Sequence, residues 1–189
     1  MTESLITTSQ TSPTENTTGT TCTVGRLITV NEGWKIVEVA ATWEGTPYRQ
    51  VGAGSTKGLM GDCSGTTNKI YQEAGFPYPY KRTANFVDYI QSSHRFREIF
   101  PTRGEAMQAG DVLFWSGHMA IYAPFPSNHP KRNTGVIHRG KAVSNDFYTA
   151  FNDRPGARPY APYNIATFRG DPYRVFRYFV LPGEAHCEQ

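Results

Sequence analysis

The chain has 189 residues, enough for one domain around one core, and its 38% hydrophobic content leans on aromatics, with eleven Tyr and eleven Phe. Formal net charge is only +3, with no Lys/Arg cluster or helical stripe, so the electrostatic footprint of a nucleic-acid binder is missing. No window nears the roughly 18 apolar residues of a membrane span.

Residues 1–22 are Thr/Ser/Asn-rich and lack the apolar core and small-residue cleavage site of a secretory signal. They are expected to form a disordered or loosely attached tail before a single domain over 23–189. After an apolar lead-in, Asn31 is the candidate cap of a helix over 32–44, with Gly45 just past its end. Ile36, Val39, Ala40 and Trp43 supply its apolar face. A Gly-rich loop over 45–61 follows, then a helix over 63–74 stopped by Gly75 and Pro77. The packed face of that helix reads Cys63, Thr67, Ile70, Tyr71, Ala74. A third helix is predicted over 84–92, capped by Thr83, with Phe86, Val87 and Ile90 inward.

Beyond Gly110-Asp111 the period changes to that of strands. Residues 112–115 and 118–123 flank Ser116-Gly117 as a tight hairpin. Residues 136–138 and 141–143 flank Arg139-Gly140, as a second hairpin or one bent strand. Residues 151–172, rich in Pro, Arg, Gly and Tyr, are long for a plain connector. Their Tyr160, Tyr163, Arg154 and Arg158 are candidates to line a groove or meet a partner, with a solvated loop as the plainer alternative. A closing strand over 174–181 places Phe176, Tyr178 and Val180 on one face. Helices first and antiparallel strands after make an α+β domain.

Cys63 opens the second helix, where main-chain N–H groups and the helix dipole favour a thiolate. Its plain alternative is a small buried hydrophobe. His118 opens a strand 55 residues later and is the leading base, because an imidazole titrates near neutrality. Such a pair would need a third group to orient the ring. His138, Asn128, His129 and Asn145 are the candidates. Cys63, His118 and His138 also have the residue types of a zinc set, but without short ligand spacing, so neither metal nor cofactor is expected. Cys22 and Cys187 lie near the termini, and both a disulfide and two free thiols remain open for them.

The strings Gly45-Thr46-Pro47-Tyr48, Asp62-Cys63-Ser64-Gly65, Ala109-Gly110-Asp111-Val112-Leu113-Phe114-Trp115 and Gly117-His118-Met119-Ala120-Ile121-Tyr122 occur in the order found in the NlpC-type cell-wall cysteine peptidases, which this chain resembles over about 34–145. The resemblance implies a papain-like fold with N-terminal helices packed on a small antiparallel sheet. It implies hydrolysis of peptidoglycan stem peptides, in most members between γ-D-glutamate and a diamino acid. By position it makes Cys63 the nucleophile, His118 the base and His138 the third polar residue. Tyr48 matches the tyrosine near the oxyanion, and Asp62 and Ser64 flank the thiol on the substrate side. An N-acetylmuramoyl-L-alanine amidase on the same fold, or a non-catalytic module binding wall fragments or a partner, are the alternatives.

Ala53-Gly54-Ser55-Thr56 departs from the family's usual Trp-Gly-Gly, Pro124–Asn133 is inserted before His138, and Tyr80-Lys81-Arg82 replaces a Pro-Arg pair. The chain also resembles small amidase effectors of type VI secretion. That implies synthesis in the cytoplasm without a signal peptide and action in the periplasm of a target bacterium. A secretion-apparatus carrier and an immunity protein would then be partners.

Overall fold

The computed structural model describes residues 23–135 and 137–184, so Cys22 and Cys187 lie outside the described residues. In chain order the elements are β1 (Arg26–Leu27), α1 (Val30–Thr42), α2 (Cys63–Glu73), α3 (Thr83–Ser93), β2 (Phe96–Ile99), β3 (Val112–Trp115), β4 (His118–Tyr122), β5 (Ile137–His138), β6 (Lys141–Ala142), β7 (Phe147–Asn152), β8 (Ala157–Tyr163), α4 (Ile165–Phe168) and β9 (Arg174–Val180). The antiparallel sheet runs β1–β9–β3–β4–β7–β8, and β2 also pairs with β9. This is the expected α+β architecture, and it agrees with a papain-like fold. Among the described residues no helix is long and apolar enough to cross a membrane.

Helix α1 starts earlier than Asn31 implied. Thr29 Oγ1 accepts from the Glu32 N–H at 3.2 Å, and the Glu32 carboxylate accepts from the Thr29 N–H at 2.7 Å. Two helix-end donors are satisfied reciprocally, which outweighs a lone Asn cap. Arg26 adds a two-pronged pair to the same Glu32. Thr83 lies inside α3, and Arg82 takes the cap position without a side-chain bond.

One face of the sheet carries α1 and α2. Ile36, Val37 and Ala40 of α1 and Ile70 and Tyr71 of α2 are buried against Val112, Met119, Ile121 and Phe176. Full burial of an aliphatic side chain such as Ile36 or Ile70 is worth about 2 kcal/mol. The layers meet closely at Gly33, where a Cβ would stand 1.9 Å from the Ala109 carbonyl oxygen. Tyr71 then donates from its buried hydroxyl to the Gly110 carbonyl.

The other face carries a second core of Leu113, Trp115, Ala120, Phe147 and Val175, covered by Phe168 of α4 and by Tyr173. Much of this cover comes from residues 151–172. That stretch is not a plain loop: it supplies the end of β7, all of β8 and α4. Tyr160 is wholly buried and stacks on Tyr148 at 5.7 Å, so it belongs to the core and to no groove. Arg158 pairs with Asp153 at 2.9 Å.

Candidate active site

Helix α2 begins at Cys63 because Asp62 caps it. The Asp62 backbone is extended, and its Oδ1 accepts from the Gly65 N–H at 2.8 Å. Its Oδ2 accepts from the Gly52 N–H at 2.6 Å. One buried carboxylate thus ties the single helical turn at Gly52–Gly54 to the helix start. Only glycine fits at position 65, since a Cβ there would lie 2.1 Å from both the Gly52 carbonyl oxygen and Ser55 Oγ. Ser64 Oγ meets Asp62 Oδ1 at 3.3 Å and the Tyr80 hydroxyl at 3.2 Å. A bridge between Tyr48 and Gly61 brings the Tyr48 ring alongside.

Tyr48, Asp62, Cys63, Ser64, Tyr80 and Arg82 therefore share one groove of about 630 Å³, whose rim also includes Gly117 at the tip of the β3–β4 turn. Burial, then the negative charge available at Cys63 and Asp62, raises the Tyr48 pKa, so its hydroxyl remains a donor. Among the described residues no group of three or more His, Cys, Asp or Glu side chains is placed to hold a metal.

The thiol differs from its sequence expectation. Burial pushes the Cys63 pKa up to about 11, and the neighbouring Asp62 charge adds to the rise. The main-chain N–H groups of Met119, Ser64 and Cys63 lower it only in part. Desolvation of the sulfur against β4 outweighs the helix terminus. At neutral pH the group is a thiol.

His118 differs more. Leu113, Trp115, His118 and Ala120 fall on one side of the paired strands, and Met119 and Ile121 on the other, by strand alternation. The His118 ring accordingly lies on the face away from α2, 5.9 Å from Trp115, 5.0 Å from Phe168 and 6.3 Å from Phe151. Its Nε2 lies 3.0 Å from Thr149 Oγ1. Only 6% of the residue is exposed. Burial, with the Arg169 charge nearby, drives its pKa down to about 3, against a smaller opposing effect of Asp171. Cys63 thus touches β4 at Met119, one residue from His118, while no hydrogen bond joins sulfur and ring.

His138, which the resemblance implies as the third polar residue, is not on a strand paired with that of His118. His138 faces Lys141 in the separate two-stranded ribbon β5–β6, because the preceding insertion carries this segment off the main sheet. Asn128 is exposed in a turn. The His129 ring stacks on Phe125 at 4.6 Å, and its Nδ1 accepts from the Lys131 N–H. Asn145 is buried but donates to the Lys131 carbonyl and Thr134 Oγ1. The side chain within hydrogen-bond distance of the His118 ring is Thr149. Its signal in the sequence is a lone polar residue inside the apolar run Phe147-Tyr148-Thr149-Ala150-Phe151.

A family model described as NlpC/P60 family matches residues 45–150, more than half of the chain and inclusive of Tyr48, Cys63, His118 and Thr149. No curated protein matches the chain.

Proposed function

The chain belongs to the NlpC/P60 family, whose members are typically cysteine peptidases acting on peptidoglycan, and on that premise we propose that it hydrolyses a stem-peptide amide with Cys63 as nucleophile. The γ-D-glutamyl–diamino acid bond is the bond we assign. The observation that carries the reading is the thiol at the start of α2 in an open groove, with the Tyr48 hydroxyl and main-chain N–H groups beside it.

In this mechanism Cys63 Sγ attacks the scissile carbonyl carbon while its proton passes to His118. The carbonyl oxygen takes up the negative charge, and the Cys63 N–H and Tyr48 hydroxyl donate to it. A donor of this kind is worth roughly 3 kcal/mol. His118 then returns the proton to the departing amine as the C–N bond breaks. Water attacks the thioester, giving one proton to His118 and then to sulfur, which frees the acid and restores the thiol. A thiol near 11 and an imidazole near 3 favour proton transfer during attack over a resting ion pair. The reaction requires the ring and the sulfur to come within hydrogen-bond reach once substrate fills the groove.

A second reading, a module that binds wall fragments or a partner without cleaving them, draws on the burial of the His118 ring, whose Nε2 partner is Thr149. Sacculi treated with the wild type and with Cys63→Ala separate the two. New muropeptides from the wild type alone, with a free γ-D-glutamyl carboxyl, support the endopeptidase. Free muramic acid ends without peptide point to the amidase, and identical digests to the module. The resemblance to type VI amidase effectors supports action in a target periplasm, opposed by an immunity protein. Periplasm-directed expression should lyse cells with the wild type and spare them with Cys63→Ala.

A further inference from the structure

Thr149 Oγ1 lies 3.0 Å from His118 Nε2, 3.0 Å from the Met119 carbonyl oxygen and 3.3 Å from the Ala150 carbonyl oxygen. A hydroxyl has one proton, and both carbonyls can only accept. If that proton went to Nε2, the hydroxyl oxygen would face two carbonyl oxygens at these distances with no hydrogen between them. If it goes to Met119, the hydroxyl lone pair is free to accept an N–H from the ring. The second arrangement satisfies both 3.0 Å contacts and leaves only the longer Ala150 contact without a proton of its own, where the first leaves two.

From this we infer that Thr149 is a positioning residue: it accepts from His118 Nε2–H, fixes that tautomer and leaves Nδ1 as the bare nitrogen that receives the Cys63 proton. The role in proton transfer rests on the hydrolase reading; the tautomer does not. The ring environment is consistent with a neutral imidazole, since Trp115, Phe151 and Phe168 enclose it and Arg169 opposes a second proton. The site is open to such a cross-strand bond because the β4–β7 register covers Ile121 and Tyr122 and stops before Met119. A threonine side chain there takes up a carbonyl that ladder pairing does not reach.

The test is long-range ¹H–¹⁵N NMR of the imidazoles in the full chain at pH 7, with His118 assigned through His118→Gln. The wild type should show His118 with a protonated Nε2 and a bare Nδ1. Thr149→Ser should keep that pattern, and Thr149→Val should lose it. On sacculi, Thr149→Val should lower kcat by about 10²-fold with KM little changed, and Thr149→Ser should restore most of it. A protonated Nδ1 in the wild type, or an unchanged tautomer in Thr149→Val, overturns the assignment. The expected tautomers with no cleavage by any variant would uphold it and reject the hydrolase reading. The wild-type spectrum alone decides the assignment should the Val variant not fold.

Discussion

Gly65→Ala separates helix propensity from packing, because the two give opposite signs. Ala in an open helix would stabilise by about 1 kcal/mol relative to Gly. Here the new methyl would stand 2.1 Å from the Gly52 carbonyl oxygen and Ser55 Oγ, and 2.9 Å from the Gly52 carbonyl carbon. Two of these are main-chain atoms, and Ser55 is itself buried and bonded to the Gly52 carbonyl at 2.8 Å. The turn at Gly52–Gly54 must retreat by more than an ångström. Overpacking of this kind costs about 1–3 kcal/mol. The retreat also breaks the 2.6 Å bond from the Gly52 N–H to the Asp62 carboxylate, worth about 1.5–3 kcal/mol. Less the propensity gain, the net loss is about 1.5–5 kcal/mol. Urea unfolding should show a lower midpoint with an unchanged slope. Gly54→Ala is the control: its Cβ would meet nothing closer than Val51 Cβ at 3.8 Å, so it should shift stability by less than about 0.5 kcal/mol. A Gly65→Ala protein as stable as the wild type, or more so, would refute the claim that close packing holds this turn against the helix start.

Three further outcomes follow from buried charge. The folded His118 ring refuses a proton down to about pH 3, whereas the unfolded ring takes one near 6.5. Stability is therefore fully present above 6.5 and falls as pH drops through that window, by at most about 4–5 kcal/mol from this group. Wild type and His118→Gln compared by thermal unfolding between pH 7 and 4 should converge as pH falls, and parallel curves would count against the buried neutral ring. The Cys63 thiol, held near 11, should react with iodoacetamide about tenfold faster per pH unit between 7 and 10. Asp62→Asn keeps a capping oxygen while removing the charge, so it should speed labelling at pH 8; slower labelling would contradict the assigned role of that charge. Arg177 meets the fully buried Asp111 carboxylate with two bonds of 2.7 and 2.8 Å. Arg177→Met should cost about 3–5 kcal/mol in denaturant, with part recovered on adding Asp111→Asn. No recovery in the double variant would show that the loss is packing and not stranded charge.

The sequence by itself determined the three helices and the β3–β4 hairpin, because their signals are local. A 3.6 period, the Gly and Pro stops and Ser116-Gly117 each act within a few positions of the chain, although the caps fell on Thr29 and Arg82 and not on Asn31 and Thr83. It also located the groove side of the site: Tyr48, Asp62, Cys63 and Ser64 do share one cavity. Strands β2, β7 and β8 escaped, since their identity depends on partners far along the chain and Pro159 and Pro162 blur the alternation of β8. Which side of β4 the His118 ring takes was equally hidden. That depends on strand register and on which aromatics cover the second sheet face, and a one-residue change of parity reverses it. That Thr149 and not His138 neighbours His118 has the same origin, because cross-strand neighbours are fixed by pairing and not by distance along the sequence. Only the packed structure, finally, decided the state of the thiol. A helix start favours the thiolate, but desolvation against the sheet favours the neutral form more strongly, and burial exists only once the layers have met.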